Sequence, residues 1–169
     1  MKTLKHKNKK TILEPKKKFM REAIRQAELA KRAGDYAVGA VIIRGDKVIS
    51  MASNRSKRDE SPIAHAETLA ILKASKIFGK RHLPNCVLYT THEPCPMCAA
   101  VAVWARLKGV VYGARVEDMA SYRVKNLHQK KYLWRTIDIS CKELFKKSTE
   151  KVEVVGDFMR RECIKLFHC

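Results

Sequence analysis

Residues 86–114, "CVLYTTHEPCPMCAAVAVWARLKGVVYGA", constrain the fold more than any other stretch of the chain. Two β-rich runs, "CVLYTT" and "GVVYGA", enclose an apolar run with helical character, "PMCAAVAVWARL". A β-α-β alternation of this kind predicts a sheet with helices packed on it. Cys95 and Cys98 stand at the predicted helix start, and the proline between them suits a first helical turn. Taken alone, a C-P-M-C fits three chemistries: a redox dithiol, part of a zinc clamp, or two structural thiols.

The flanking segments extend the pattern. From Lys16 to Ala33, the apolar residues Phe19, Ala23, Ile24, Ala27 and Ala30 recur at helical spacing, and Gly34 follows where a helix C-terminal glycine is expected. "AVGAVIIRGDKVISMAS" reads as two strands about a turn at Gly45-Asp46. A polar loop leads past Pro62 to a second helix, "IAHAETLAILKASKIF", in which Ile63, Ala66, Leu69, Ala70 and Leu72 can line one face. Further on, "SCKELFKKS" and "DFMRRECIKLF" read as helical and "KVEVV" as extended, whereas "YRVKNLHQKKYLWR" carries no clear period. The expected organisation is one domain over residues 16–169 behind a basic, flexible tail at 1–15.

Charge is the second constraint. The formal net charge is +19. Residues 1–18 hold eight lysines and one acid, a net +7 that leaves +12 on the rest. A lysine run of this kind reads as a solvated tail, and the overall balance predicts attraction to polyanions such as RNA. No apolar run approaches the roughly 20 residues of a membrane span, and no apolar segment follows the basic N-terminus as in a secretory signal. A cytoplasmic, reducing compartment is therefore expected, and in that setting a C-x-x-C pair points to metal or redox chemistry rather than to a disulfide framework. The other cysteines, Cys86, Cys141, Cys163 and Cys169, are expected to be ordinary thiols.

The second half of the constellation lies upstream. His65-Ala66-Glu67 opens the second predicted helix, so an H-x-E precedes the P-C-x-x-C. Imidazole and thiolates suit zinc, and a catalytic zinc site keeps three protein ligands with a fourth position open. His65, Cys95 and Cys98 supply three. Glu67 is too close in sequence to His65 to join it as a ligand and is better cast as a proton carrier beside the metal. The alternatives are a closed structural zinc site, with Cys86, His92 or Cys141 as fourth ligand, and a redox dithiol; neither uses an acid paired with the histidine.

"HAE" followed by "EPCPMC" resembles the zinc-dependent cytidine and purine deaminases over roughly Lys17 to Gly113. The resemblance implies an α/β fold, a three-layer α/β/α sandwich with a central mixed sheet flanked by helices. It implies zinc on His65, Cys95 and Cys98, with Glu67 as the catalytic proton carrier. In that chemistry a hydroxide held on zinc attacks the amine-bearing ring carbon of a base, and ammonia leaves. Substrate contacts implied by the same resemblance are Asn54, Ala66 and Trp104, with a homodimer as the expected assembly. A core role for Trp104 and a turn role for Asn54 are the structural alternatives.

Two substrate classes compete. "ILKASKIFGKRHLPNCVLYTTHEPCPMC" with "VWAR" is similar to bacterial guanine deaminases and implies a purine base or nucleoside as substrate, with guanine foremost. "YAVGAVIIRGDKVI" and "VVYGAR" are similar to tRNA adenosine deaminases, and the basic charge suits an RNA partner. A non-catalytic zinc-stabilised RNA-binding module is the reading from a different class; it has no use for Glu67.

Overall fold

In the computed structural model, residues 13–127 and 135–167 are described. The first twelve residues of the expected tail, residues 128–134 of the unplaced "YRVKNLHQKKYLWR" run and Cys169 lie outside them. Leu13, at the edge of that tail, already packs on the core.

Helix α1 (Lys17–Arg32) is amphipathic as its spacing predicts, burying Phe19, Met20, Ala23, Gln26, Ala27 and Ala30. Gly34 takes a left-handed φ of 78° just beyond the helix, a conformation that costs glycine nothing. Strands β1 (Gly39–Arg44) and β2 (Lys47–Ser53) form the expected hairpin, with Gly45 at φ 58° in the turn. Helix α2 (Ala66–Phe78) follows the polar loop, and strand β3 (Cys86–His92), helix α3 (Pro96–Trp104) and strand β4 (Gly109–Ala114) complete the β-α-β unit. Helix α4 (Val116–Lys125), helix α5 (Cys141–Lys146), strand β5 (Glu153–Val155) and helix α6 (Arg160–Ile164) finish the chain.

Among the described residues the strands form one five-stranded sheet in the order β2-β1-β3-β4-β5. β1 runs antiparallel to β2 and β3, whereas β3, β4 and β5 are parallel. The sheet is mixed, as expected. β3 lies at its centre and buries all seven residues. The alternation along β2 shows helices on both faces: the Met51 sulfur meets Gln26 of α1, whereas the next side chain back, Ser50, donates to the Ala70 carbonyl of α2 at 2.7 Å. Helix α6 joins the α1 face, where the Cys163 thiol meets Met20. This is the three-layer sandwich.

Several local expectations are corrected. α2 begins at Ala66, not just after Pro62; His65 is its N-cap in extended conformation. Its buried face is Ala66, Glu67, Ala70, Ile71 and Ala74, with Ile63 and Leu72 exposed. Ile63 precedes the helix, and within it the buried positions follow the i, i+4, i+8 row Ala66, Ala70 and Ala74 with Glu67 and Ile71 beside it, which leaves Leu72 on the outer face. α3 stops at Trp104 because Arg106 turns to φ 53°, three residues into the predicted "WARL" end. α6 occupies only the middle of "DFMRRECIKLF", with Asp157 and Met159 both at positive φ before it. Helix α4, capped by Arg115 and Asp118, takes in residues 122–125, the start of the stretch without a readable period.

Gly39 is demanded by close approach. A Cβ on Gly39 would fall inside the envelopes of the Ala23 carbonyl and the Ala27 amide of α1, and 2.8 Å from the Gln26 Cβ. Backbone, not a flexible tip, stands in the way. Gly39→Ala is expected to destabilise the fold by about 3 kcal/mol through overpacking, read as a lower urea midpoint at unchanged slope. A midpoint within error of the parent would show that α1 can shift off the sheet at little cost.

Candidate metal and catalytic site

The site forms where two helix starts meet beside the end of β3. Cys95 is the N-cap of α3, in extended conformation, and Pro96 occupies the first turn. The chain reaches Cys95 directly from β3 through Glu93 and Pro94. His65 caps α2 in the same extended manner, which aims its side chain out of the helix start instead of along its flank. Helix starts carry partial positive charge from unpaired N–H groups, so both elements favour anionic sulfur at this point.

The imidazole Nδ1 of His65 stands 3.7 Å from the Cys95 sulfur and 3.5 Å from that of Cys98. The three donor atoms all lie within 4.8 Å of one another. For tetrahedral zinc, with bonds of about 2.3 Å to sulfur and 2.0–2.1 Å to nitrogen, an N···S edge is about 3.6 Å. The residues present fit that ion, and among the described residues they are the group of three donors with metal-binding spacing. Cys86, His92 and Cys141, the fourth ligands that a closed site requires, do not join the cluster. His92 pairs its Nδ1 with the Thr91 hydroxyl at 2.8 Å and packs on Phe167. Cys141 begins α5, buried, and Cys86 lies at the opposite end of β3 from the site.

Sulfur and carboxylate share the proton balance. Cys98 faces Cys95 as a hydrogen-bond partner and, with His65, draws the Cys95 thiol down to about 4 despite its burial. Cys98 is the partner that keeps the proton: its hydrogen bond to Cys95 and its own burial raise its thiol well above the ordinary value. Glu67, in the first turn of α2, is 4% exposed, and its Oε2 has no hydrogen-bond partner. Burial foremost, with the Cys95 charge adding and the His65 imidazole opposing, lifts its pKa to about 7. A buried carboxyl oxygen without a partner, next to a three-donor cluster, has the chemistry of a group awaiting a water or a substrate proton.

Asn54 is 3% exposed at the end of β2. Its backbone N–H donates to the Val38 carbonyl at 2.9 Å, and the next residue's N–H donates to the carbonyl of Ala64, the residue before His65. Ala66, fully buried, opens α2, so its N–H lies outside that helix's own ladder. Both expected substrate contacts therefore sit at the His65 end of the site. Trp104 does not. It is 76% exposed, nine residues along α3 from Cys95, or about 13 Å by helical rise. There it lines a separate groove of about 590 Å³ with Val103, Ile139 and Leu144. It is neither core nor beside the donor cluster, because the helix axis carries it away.

Two carboxylates escaped the reading of the sequence. Glu93, 5% exposed, accepts the Val116 N–H at 3.2 Å and the Cys141 N–H at 3.0 Å, so one buried acid holds the first turns of α4 and α5 against the strand that delivers Cys95. Its signal was adjacency to the C-x-x-C. Asp35, fully buried, anchors the loop that follows Asn54. An acid directly before the apolar β1 region was the only mark it left.

A mixed α/β sandwich that brings an imidazole, two thiols and a buried acid to paired helix starts defines a zinc-binding class of site with an acid beside the donor set. Residues 13–114 match the cytidine and deoxycytidylate deaminase zinc-binding region, and the chain belongs to that family. It is 42% identical over 96 residues to a tRNA-specific adenosine deaminase of Bacillus subtilis (strain 168), covering 57% of this chain and 60% of that one. It is 41% identical over 103 residues to the guanine deaminase of the same organism, covering 60% of this chain and 66% of that one. The match thus spans 60% of the first relative and 66% of the second. Among solved structures, one from a study of A-to-I editing by tRNA:A34 deaminases at the wobble position of transfer RNA superposes with a TM-score of 0.74 at 26% identity, covering 89% of this chain and 99% of that one. The X-ray structure of guanine deaminase from Bacillus subtilis gives 0.61 at 32% identity, covering 75% and 87%.

Proposed function

We propose that this chain catalyses the hydrolytic deamination of a purine base or nucleoside, with guanine as the first candidate. The observation that carries the reading is Glu67: an acid buried beside His65, Cys95 and Cys98 with one oxygen left unpartnered. A structural zinc knot or a redox dithiol has no use for it. Zinc on those three residues supplies Lewis acidity and activates water at neutral pH. Glu67 takes the proton released by the attacking water and delivers it to the ring nitrogen next to the reacting carbon. It then helps the exocyclic amine depart as ammonia, leaving a carbonyl on the base. Its pKa near 7 equips it to accept and to give a proton at the same pH. Asn54 and the Ala66 backbone hold the base.

A second reading, tRNA adenosine deamination, is favoured by the +19 charge and by the match to the tRNA-specific enzymes. It makes a separate prediction: binding of tRNA falls steeply and log-linearly with salt as lysines and arginines release phosphate counterions. Weak binding indifferent to salt would remove RNA as the substrate. The test of both readings is ammonia release from zinc-loaded protein on guanine, adenine, cytosine, their nucleosides and a tRNA pool. Turnover of free guanine is expected under the first reading and turnover confined to tRNA under the second. No ammonia from any of them would overturn the proposed reaction.

A further inference from the structure

Asp35 makes a set of contacts that a surface-loop acid does not need. It lies in the connection from α1 to β1, and its side chain is fully buried. One carboxylate oxygen accepts from the Asn54 side-chain Nδ2 at 2.7 Å and from the Tyr36 N–H at 2.8 Å. The other accepts from the Lys57 and Arg58 N–H groups, each at 3.1 Å, with the Arg58 guanidinium 3.7 Å away. Burial alone would raise its pKa, but the N–H donors from Arg58, Tyr36, Asn54 and Lys57 outweigh it and hold the carboxyl below its ordinary value. Asp35 is an anion built into the fold.

The consequence falls on Asn54. A carboxylate accepts and cannot donate, so only the NH2 end of the Asn54 amide can face it. The second hydrogen of that NH2 is taken by the Ser56 hydroxyl at 2.8 Å. Both donors of the amide are therefore committed within the protein, and the carbonyl oxygen is the atom left to meet a ligand. Arg58 closes the arrangement by donating to the Asn54 backbone carbonyl at 2.9 Å.

We propose, resting on the deaminase reading above, that Asp35 is a positioning residue. By its charge it fixes the orientation of the Asn54 amide, so that Asn54 meets the base as a hydrogen-bond acceptor and reads an N–H edge. Asp35 does not touch the base; it acts through Asn54.

The test is a double-mutant cycle on the zinc-loaded protein. Asn54→Ala and Asp35→Asn are each expected to lower kcat/KM by about 10²-fold, the cost of a misplaced contact, with the larger share in KM. The double variant is expected to lie within about 3-fold of Asn54→Ala, because Asp35 has nothing left to orient. Losses that multiply would show that Asp35 supports the fold generally and would overturn the proposal. A measurement on the unaltered protein stands beside the cycle. NMR should detect a scalar coupling through the hydrogen bond from the Asn54 side-chain nitrogen to the Asp35 carboxyl carbon, with slow exchange of those amide protons. Rapid exchange without coupling overturns the positioning even if no variant folds. If no base is turned over by the parent protein, the functional reading fails, while the NMR result still decides whether Asp35 holds the amide.

Discussion

Glu67→Gln is expected to leave zinc content and base binding intact and to lower turnover by about 10²- to 10⁴-fold, the span by which a positioned proton carrier accelerates a reaction. At about 1.4 kcal/mol per decade, that is a barrier increase of about 3–5 kcal/mol. The substitution keeps the shape of a side chain that is 4% exposed and removes only its ability to move a proton. Metal analysis with single-turnover kinetics checks it, and a variant retaining parental turnover would remove Glu67 from the reaction. The same residue makes a pH prediction whose sign follows from burial. Its folded pKa of about 7 lies above the unfolded carboxyl value of 4.5. Protonated Glu67 is therefore favoured by folding: its contribution is fully present below pH 4.5 and is lost as pH rises to about 7. In metal-free protein, the parent should lose about 3 kcal/mol relative to Glu67→Gln across that window, at about 1.4 kcal/mol per unit. Parallel stability curves for the two proteins would mean that the carboxyl is better solvated than its burial indicates.

The second large effect is on the metal. Cys98 is fully buried in the first turn of α3, and its sulfur stands 3.5 Å from the His65 Nδ1. Cys98→Ala takes one of three protein ligands from zinc and leaves a pair that cannot close a catalytic site. Zinc retained after dialysis against a chelator is expected to fall from about one per chain to below about 0.1, with loss of all deaminase turnover. Stability should follow. A ligand that binds only the folded state contributes about 4 kcal/mol at a thousandfold excess over its Kd. Chelation should thus lower the thermal midpoint of the parent and leave that of Cys98→Ala unmoved. A variant that keeps stoichiometric zinc would show that the metal is held elsewhere.

These two outcomes separate the competing site chemistries. A redox dithiol would respond to Cys98→Ala but not to Glu67→Gln. A closed structural zinc site would lose its fold on chelation and be indifferent to Glu67. Loss of turnover without loss of zinc in one variant, and loss of both in the other, is the pattern of a metal-dependent hydrolase with a separate proton carrier.

Much of this was legible in residue order because the chemistry is local. His65 and Glu67 lie two residues apart, Cys95 and Cys98 three, and each pair begins a helix, so short-range spacing carries both halves of the site. The β-α-β period and the buried run of β3 likewise express local patterning, and they determined the α/β class. What residue order could not decide is which distant groups meet. The roles of Glu93 and Asp35 depend on neighbours up to 48 residues away, and a carboxylate's partners leave no periodic trace. Which face of α2 is buried was decided by packing against β1, β2 and α3, which takes in Glu67 and Ile71 and leaves Leu72 outside. Trp104 sits nine residues from Cys95, and only the straight run of α3 shows that it faces a different part of the molecule. The sequence by itself determined the donor set and the acid that stands beside it, because these are spelled by adjacent residues. Tertiary packing decided how the amide of Asn54 is held, because hydrogen bonds between remote buried groups exist only once the sheet and its loops have closed around them.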